Sequence, residues 1–266
     1  MPAKVDLYNS SYGNYGLDVY REIRVETYGE DFGQTSWVTT EESHEIPQLL
    51  DLSRQSSVLE IGCGSGRYAL WIAETVGCRV FGLDINSYGI ENANGLAATA
   101  CSLVRFEECD VSRGLPFADG TLDAAFANDV LCHIPNRSGV LAEVFRVLRP
   151  GGRLLFSDAL IIGGLISDEE IATRCSIGSY VFAPQGENER LLKAAGFHVI
   201  SVRDTSAAAA AIAKRRHAAR GRRKTELIAA EGQANFEGLQ RFLEGVHRLS
   251  SEKRLLRCLY VARKEA

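Results

Sequence analysis

No C-x-x-C pair occurs among the seven cysteines (Cys63, Cys78, Cys101, Cys109, Cys132, Cys175, Cys258), and their number is odd. A zinc knuckle and a disulfide framework are thereby disfavoured, and reduced, mostly buried thiols in a cytoplasmic protein are expected. Long apolar runs are missing too: Leu160–Ile166 and Ala207–Ala213 are the longest, far short of a bilayer span. The segment Met1 to Gly16 is polar and tyrosine-rich and lacks the apolar stretch of a signal peptide. Positive charge is not in excess: the formal net charge is −4, so no global field draws the chain to nucleic acid. No clustered His/Asp set suggests a metal, no lysine of the Walker type follows the glycines, and no repeat recurs at a fixed period.

What is present is an ordinary globular composition, 45% hydrophobic and 24% charged over 266 residues, enough for one enlarged α/β domain. Residues 1–40 show only patchy periodicity. Glu41 to Leu52 suggests a helix with Pro47 in its first turns. A regular alternation follows: strand Ser57–Ile61, helix Arg67–Val76, strand Arg79–Asp84, helix Ser87–Ala100, strand Leu103–Glu107, strand Leu122–Ala127, and helix Arg137–Leu148. Pro150-Gly151-Gly152 is expected to turn tightly into strand Arg153–Ser157. Strands alternating with helices imply parallel pairing with right-handed crossovers. Beyond Asp158, Ser167–Tyr180 reads as a helix capped by Ser167, and Glu187–Ala195 as another closed by Gly196. A strand at Phe197–Arg203, a helix-rich stretch Thr205–Leu249 and a last strand Leu256–Ala262 complete the chain.

The chemistry concentrates after the first strand, in Glu60-Ile61-Gly62-Cys63-Gly64-Ser65-Gly66. Glycines there let the backbone turn sharply and lie against a ligand that a Cβ would exclude. Asp84 ends the second strand, where an acid can accept hydrogen bonds from two ribose hydroxyls. The spacing is G-x-G-x-G and not the dinucleotide G-x-G-x-x-G, and Glu60 stands just before the turn. A pyrophosphate would be repelled there, whereas an α-amino group and a sulfonium would be welcome.

With these residues, and with Cys109-Asp110-Val111, Asn128-Asp129-Val130-Leu131-Cys132-His133-Ile134, Leu148-Arg149-Pro150-Gly151-Gly152 and the closing Leu259-Tyr260-Val261-Ala262, the chain resembles class I S-adenosylmethionine-dependent methyltransferases. The likeness covers about residues 56–200 and the last strand, and is nearest the small-molecule types: ubiquinone/menaquinone, sarcosine/dimethylglycine, phosphoethanolamine and sugar methyltransferases. It implies a doubly wound, Rossmann-like, seven-stranded α/β sheet with its last strand antiparallel. A helical cap would come from the N-terminus and from the insertion before that strand. The corresponding division is a lid (1–45), a binding core (46–204), a cap insertion (205–250) and the final strand (251–266).

The resemblance also assigns roles. Gly62, Cys63 and Gly64 would line the methionine moiety, with Glu60 supporting the loop and its amino group. Asp84 would take the ribose hydroxyls and Ile85 pack on the adenine; Asp110 and the Val111 amide would meet its edge. Asn128 would contact the methionine end. Tyr15 and the segment Phe32–Trp37 look like a lid, with Tyr15 or Trp37 facing the sulfonium. His133 is the candidate base toward an amine or hydroxyl, and Asp129, Asp158, Glu170 and Tyr180 are further pocket candidates.

The expected activity is methyl transfer to a small-molecule acceptor, the donor being S-adenosyl-L-methionine. Against it stand an RNA-directed enzyme, drawing on the basic run Lys214–Lys224, a dehydrogenase on a similar sheet, and a binding module without activity. The acceptor and the oligomeric state, a homodimer among the options, stay open.

Overall fold

In the computed structural model, residues 5–100 and 103–265 are described, which leaves Cys101 and the extreme ends of the lid and of the last strand outside the described residues. Helices α1 (Tyr8–Gly13), α2 (Asp18–Tyr28) and α3 (Thr40–Leu49) come first. The segment that read as patchy therefore carries two helices. On α2 the buried face comprises Val19, Tyr20, Ile23, Arg24, Thr27 and Tyr28, so polar residues interrupt the apolar stripe. Helix α3 begins at a capping box, Thr39 with Glu42. Because it begins there, Pro47 falls in its second half and not in its first turns. The missing amide leaves the Ser43 carbonyl free within the helix. Tyr68 Oη donates to it instead, at 2.5 Å.

The alternating core is β1 (Ser57–Ile61), α4 (Arg67–Val76), β2 (Arg79–Asp84), α5 (Ser87–Ala100), β3 (Val104–Glu108), β4 (Leu122–Asn128), α6 (Arg137–Val147) and β5 (Leu148–Ile162). After it come α7 (Asp168–Arg174), the two-residue β6 (Ala183–Pro184), α8 (Glu187–Ala194), β7 (Phe197–Asp204), α9 (Ser206–Arg222), α10 (Lys224–Glu231), α11 (Gln233–Ser251) and β8 (Leu255–Lys264). The sheet runs β3-β2-β1-β4-β5-β8-β7, with β6 attached to β5. Strands β1 to β5 are parallel, and β8 is antiparallel to both neighbours. The doubly wound sheet and its antiparallel last strand are as expected; the short β6 is an addition.

Two expectations are corrected. Pro150-Gly151-Gly152 does not turn between elements but lies inside β5 as an irregularity, the partner of β4 jumping from Leu148 to Arg153. Gly151 accommodates it with φ +83°. The helix capped by Ser167 ends at Arg174, followed by a single 3-10 turn, Cys175–Ile177, because the chain opens out at Gly178.

Strand β1 is buried at every position, as a central strand covered on both faces must be. One face of β4 sends Ala125 and Ala127 against Val140, Leu141 and Val144 of α6. The other sends Ala124 and Phe126 against Ile72 of α4 and Ile46 of α3. A third cluster joins Leu7 and Trp37 to Ile212 of α9 and Phe242, Leu243 and Val246 of α11, which seats the N-terminal segment on the C-terminal helices. The carboxyl ends of β1 to β4 open beneath this roof.

Candidate active site

The backbone makes the first part of the site. Gly62, Gly64 and Gly66 adopt φ values of +75°, +52° and +74°, which favour glycine. The reason for their small size differs from the expected one. A Cβ on Gly62 would stand 2.3 Å from Val130, and one on Gly64 2.5 Å from the Tyr12 hydroxyl, so neighbouring side chains fill that space and not a ligand. Asp84 braces the turn: its carboxylate accepts from the Gly64 amide at 2.8 Å and from the Asn86 amide at 2.8 Å. Burial raises its pKa, against the pull of those amides.

A cavity of about 550 Å³ lies over these strand ends. Of the residues expected at the site, Glu60, Gly62, Cys63, Gly64, Asp84 and Ile85 line it. So do Asp110, Val111, Asn128, His133 and Trp37. Tyr15 does not. Its ring lies under the Arg24 guanidinium at 4.3 Å and faces a separate, much smaller cavity, because the turn after α1 points it away. Tyr8 and Tyr12, one helical turn apart on α1, reach the cavity in its place. The i, i+4 pair of tyrosines was the only signal of them in the sequence.

Two acceptors on the cavity are buried and have no hydrogen-bond partner: Glu60 Oε2 and Asn128 Oδ1. Desolvation pushes the Glu60 carboxyl well above its ordinary 4.5, and the nearby Asp84 charge adds to it. Asp110 behaves oppositely. It is half exposed, and hydrogen bonds from Ser112 hold its carboxyl low. Ile85 offers an apolar surface at the rim, 69% exposed.

On the other side of the cavity, His133 is held at both ring nitrogens, Nε2 by the Tyr8 hydroxyl at 2.8 Å and Nδ1 by the Ser179 carbonyl at 3.3 Å. A carbonyl only accepts, so Nδ1 carries the proton and Tyr8 donates to Nε2. Burial brings its pKa down to about 4 from 6.5. The imidazole is thus neutral and its lone pair already engaged. The Tyr180 ring lies 4.4 Å from it, and Arg174 lines the same region.

The weaker candidates separate. Asp129 lines the cavity, but its carboxylate receives the Trp37 amide at 2.8 Å and Arg257 Nε at 3.0 Å. Arg257 Nη1 continues to Glu42 at 2.9 Å and to Thr205 Oγ1 at 2.7 Å. Asp129 adopts φ +59°, unusual for a non-glycine residue. Asp158 is fully buried away from the cavity with Arg137 and Asn188, and Glu170 is paired with Arg254 and Arg248. Much of the basic run is engaged within the fold: Arg215 and Arg216 donate to the Thr27 and Thr35 carbonyls, Arg220 pairs with Glu231, and Arg223 with Glu22 and Glu26, while Lys214 and Lys224 are exposed. Among the described residues no group of three His, Cys, Asp or Glu could hold a metal ion, and no helix is long and apolar enough to cross a membrane.

Residues 59–156 match the family described as a methyltransferase domain. The 27-O-demethylrifamycin SV methyltransferase of Amycolatopsis mediterranei is 30% identical over 205 residues, 72% of this chain and 75% of that protein. A phosphoethanolamine N-methyltransferase of Triticum aestivum is 28% identical over 235 residues, which span 87% of this chain but only 44% of the wheat protein. Among solved structures, Haemonchus contortus phosphoethanolamine N-methyltransferase 2 in complex with S-adenosyl-L-methionine superposes with a TM-score of 0.78. It is 19% identical, and the match covers 96% of this chain and 60% of that one, so the likeness is one of fold.

Proposed function

The chain belongs to the class I S-adenosylmethionine-dependent methyltransferases, and from that premise we propose that it methylates a small-molecule acceptor at an N, O or C atom. The unpartnered, buried Glu60 oxygen on an open cavity carries this reading. A carboxylate is costly to desolvate without a partner, and a cationic amino group at that position relieves the cost.

The residues present fit the donor. Glu60 and Asn128 would hold the amino-acid end with their free acceptors, along the loop Gly62-Cys63-Gly64. Asp84, whose oxygens each spend one lone pair on a backbone amide, keeps the others for two ribose hydroxyls. Ile85, Asp110 and Val111 would receive the base. When bound, the donor supplies a methyl group already activated on a sulfonium, so that the protein's work is alignment and exclusion of water. Trp37, 5% exposed and packed on Phe242, would present an aromatic wall to that cation. His133 is assigned a positioning role and not that of a base: a group with a pKa of about 4 takes up protons poorly near neutrality.

Residues 1–45 and 205–250 act as lid and cap over the core 46–204 and 251–266. Their mutual contacts through Trp37 and α11 support that division. The engagement of the basic run by carboxylates and carbonyls supports a small acceptor over RNA, and the relatives act through O and N on small molecules. Free thiols at Cys63, Cys78, Cys109, Cys132, Cys175 and Cys258 support a cytoplasmic location. A homodimer is left to measurement.

Calorimetric titration tests the reading. The protein should bind S-adenosylmethionine and S-adenosylhomocysteine but not NAD, and Asp84→Ala should weaken both by more than tenfold, about 1.4 kcal/mol. Unchanged affinity in a folded variant would refute the assignment. Incubation of metabolite pools with isotopically labelled donor then separates an enzyme from a binding module.

A further inference from the structure

Charge is distributed unevenly around the cavity. Glu60, Asp84 and Asp110 lie at the ends of β1 and β2 and just after β3. Arg174 is the only lysine or arginine among the described residues that line the cavity, and it belongs to the segment after β5, on the far side of β1 and β4. It is 2% exposed.

Its surroundings differ from those of every other deeply buried arginine described. Arg24 pairs with Asp31, Arg137 with Asp158, Arg220 with Glu231, and Arg257 with Asp129 and Glu42. Arg216 donates to the Thr35 carbonyl. Arg174 has no acidic partner among the described residues, and its Nη1 has no acceptor at all. Aromatic groups flank it, Tyr180 with its ring centre 4.9 Å from the guanidinium carbon and its hydroxyl in reach of a guanidinium N–H, and Phe242 at 5.0 Å. Two rings can hold a guanidinium in orientation while leaving donors unsatisfied, because the π faces attract the cation but do not accept its fork of N–H groups along their edges. A buried charge kept without its counterion is a place where a ligand brings one.

We propose that Arg174 is the anchor for an anionic group, a phosphate ester or a carboxylate, carried by the methyl acceptor. The inference rests on the methyltransferase reading and adds the acceptor's charge to it. The nucleophilic atom then lies at the other end of the acceptor, between the guanidinium and the acidic half of the cavity. Tyr180 would serve twice, its ring orienting Arg174 and its position beside His133 closing the wall. A planar fork suits both oxyanion classes, so the two are distinguished by experiment.

The test uses the full chain saturated with S-adenosylhomocysteine, titrated calorimetrically with two matched pairs: phosphoethanolamine against ethanolamine, and sarcosine against dimethylamine. The anionic member of at least one pair should bind at least tenfold more tightly, and which pair responds identifies phosphate or carboxylate. Arg174→Gln should bring that member down to its partner's level while S-adenosylhomocysteine affinity stays within twofold of wild type; Arg174→Lys should keep part of the preference. Should Arg174→Gln fail to fold, the wild-type preference and its loss at high ionic strength decide the matter. If the anionic members bind no better than their partners, or the folded glutamine variant keeps the preference, Arg174 is held for its aromatic packing and the proposal falls. Failure of wild type to bind S-adenosylhomocysteine would instead overturn the donor site.

Discussion

Replacing Glu60 by glutamine should strengthen the free protein and weaken its hold on the donor. The side chain sits in β1 with 4% exposure, Oε2 has no partner, and desolvation holds the carboxyl well above 4.5. A group whose pKa is raised on folding contributes stability in full below its unfolded value, and that contribution is lost as pH rises through the folded value. Wild-type protein should therefore lose stability from about pH 4.5 upward, and Glu60→Gln should lack that component of the profile. An amide still leaves a buried polar group, so the net gain at pH 8 is put at about 1 kcal/mol, a rise of about 2–4 °C in melting temperature. Donor binding moves the other way. Loss of a charge-assisted contact to the amino group should cost at least tenfold in affinity, about 1.4 kcal/mol. One further signature is specific to the mechanism. Pairing with a cation ionises Glu60, so wild-type binding near neutral pH should release part of a proton, visible as a dependence of the calorimetric enthalpy on buffer ionisation heat. The variant should show none. A variant that melts lower than wild type at pH 8 and binds donor equally well would refute the reasoning, since Glu60 would then be a satisfied structural acid.

His133, with its pKa lowered to about 4, is neutral in the folded state, so its contribution to stability is present above pH 6.5 and lost as pH falls toward 4. The shift amounts to about 3 kcal/mol. Chemical denaturation of wild type and His133→Phe across pH 4–7 should show that slope in the first and not in the second, and an NMR titration of the ring placing its pKa near 6.5 would contradict it. Arg257→Met should destabilise the fold by about 3–5 kcal/mol, because Asp129 and Glu42 would be left buried without a counterion. A loss under 1 kcal/mol in urea denaturation would show that water reaches the pair.

How far the sequence discloses such a site depends on how far apart its parts lie along the chain. The part of the cavity around the glycine loop was legible as a place, since the loop, Glu60 and Asp84, which all line it, fall within one β-α-β unit whose periods are strict. Strands β1 and β2 and helices α4 and α5 began and ended where the pattern placed them. The opposite wall was legible only in part: His133 and Tyr180 were candidates, but Tyr8 and Arg174 were not, since these residues come from three separate segments and no local period relates them. Even the partly legible residues changed meaning: Asp129 read as a pocket acid, yet Arg257 and the Trp37 amide occupy its carboxylate.

That last arrangement shows why the floor and the roof of the cavity depend on each other. Asp129 keeps a left-handed conformation directly after β4, a strain of order 1 kcal/mol or more that persists only where surrounding structure enforces it. The enforcing contacts come from opposite ends of the chain: Trp37 and Glu42 from the N-terminal segment, Arg257 from β8, and Thr205 from the entry to α9. The full set of contacts is present only when both the antiparallel strand β8 and the N-terminal segment are in place. The wall that Trp37 offers to the cavity is therefore tied through Asp129 to Arg257 of the last strand, a dependence that the sequence around Trp37 does not display.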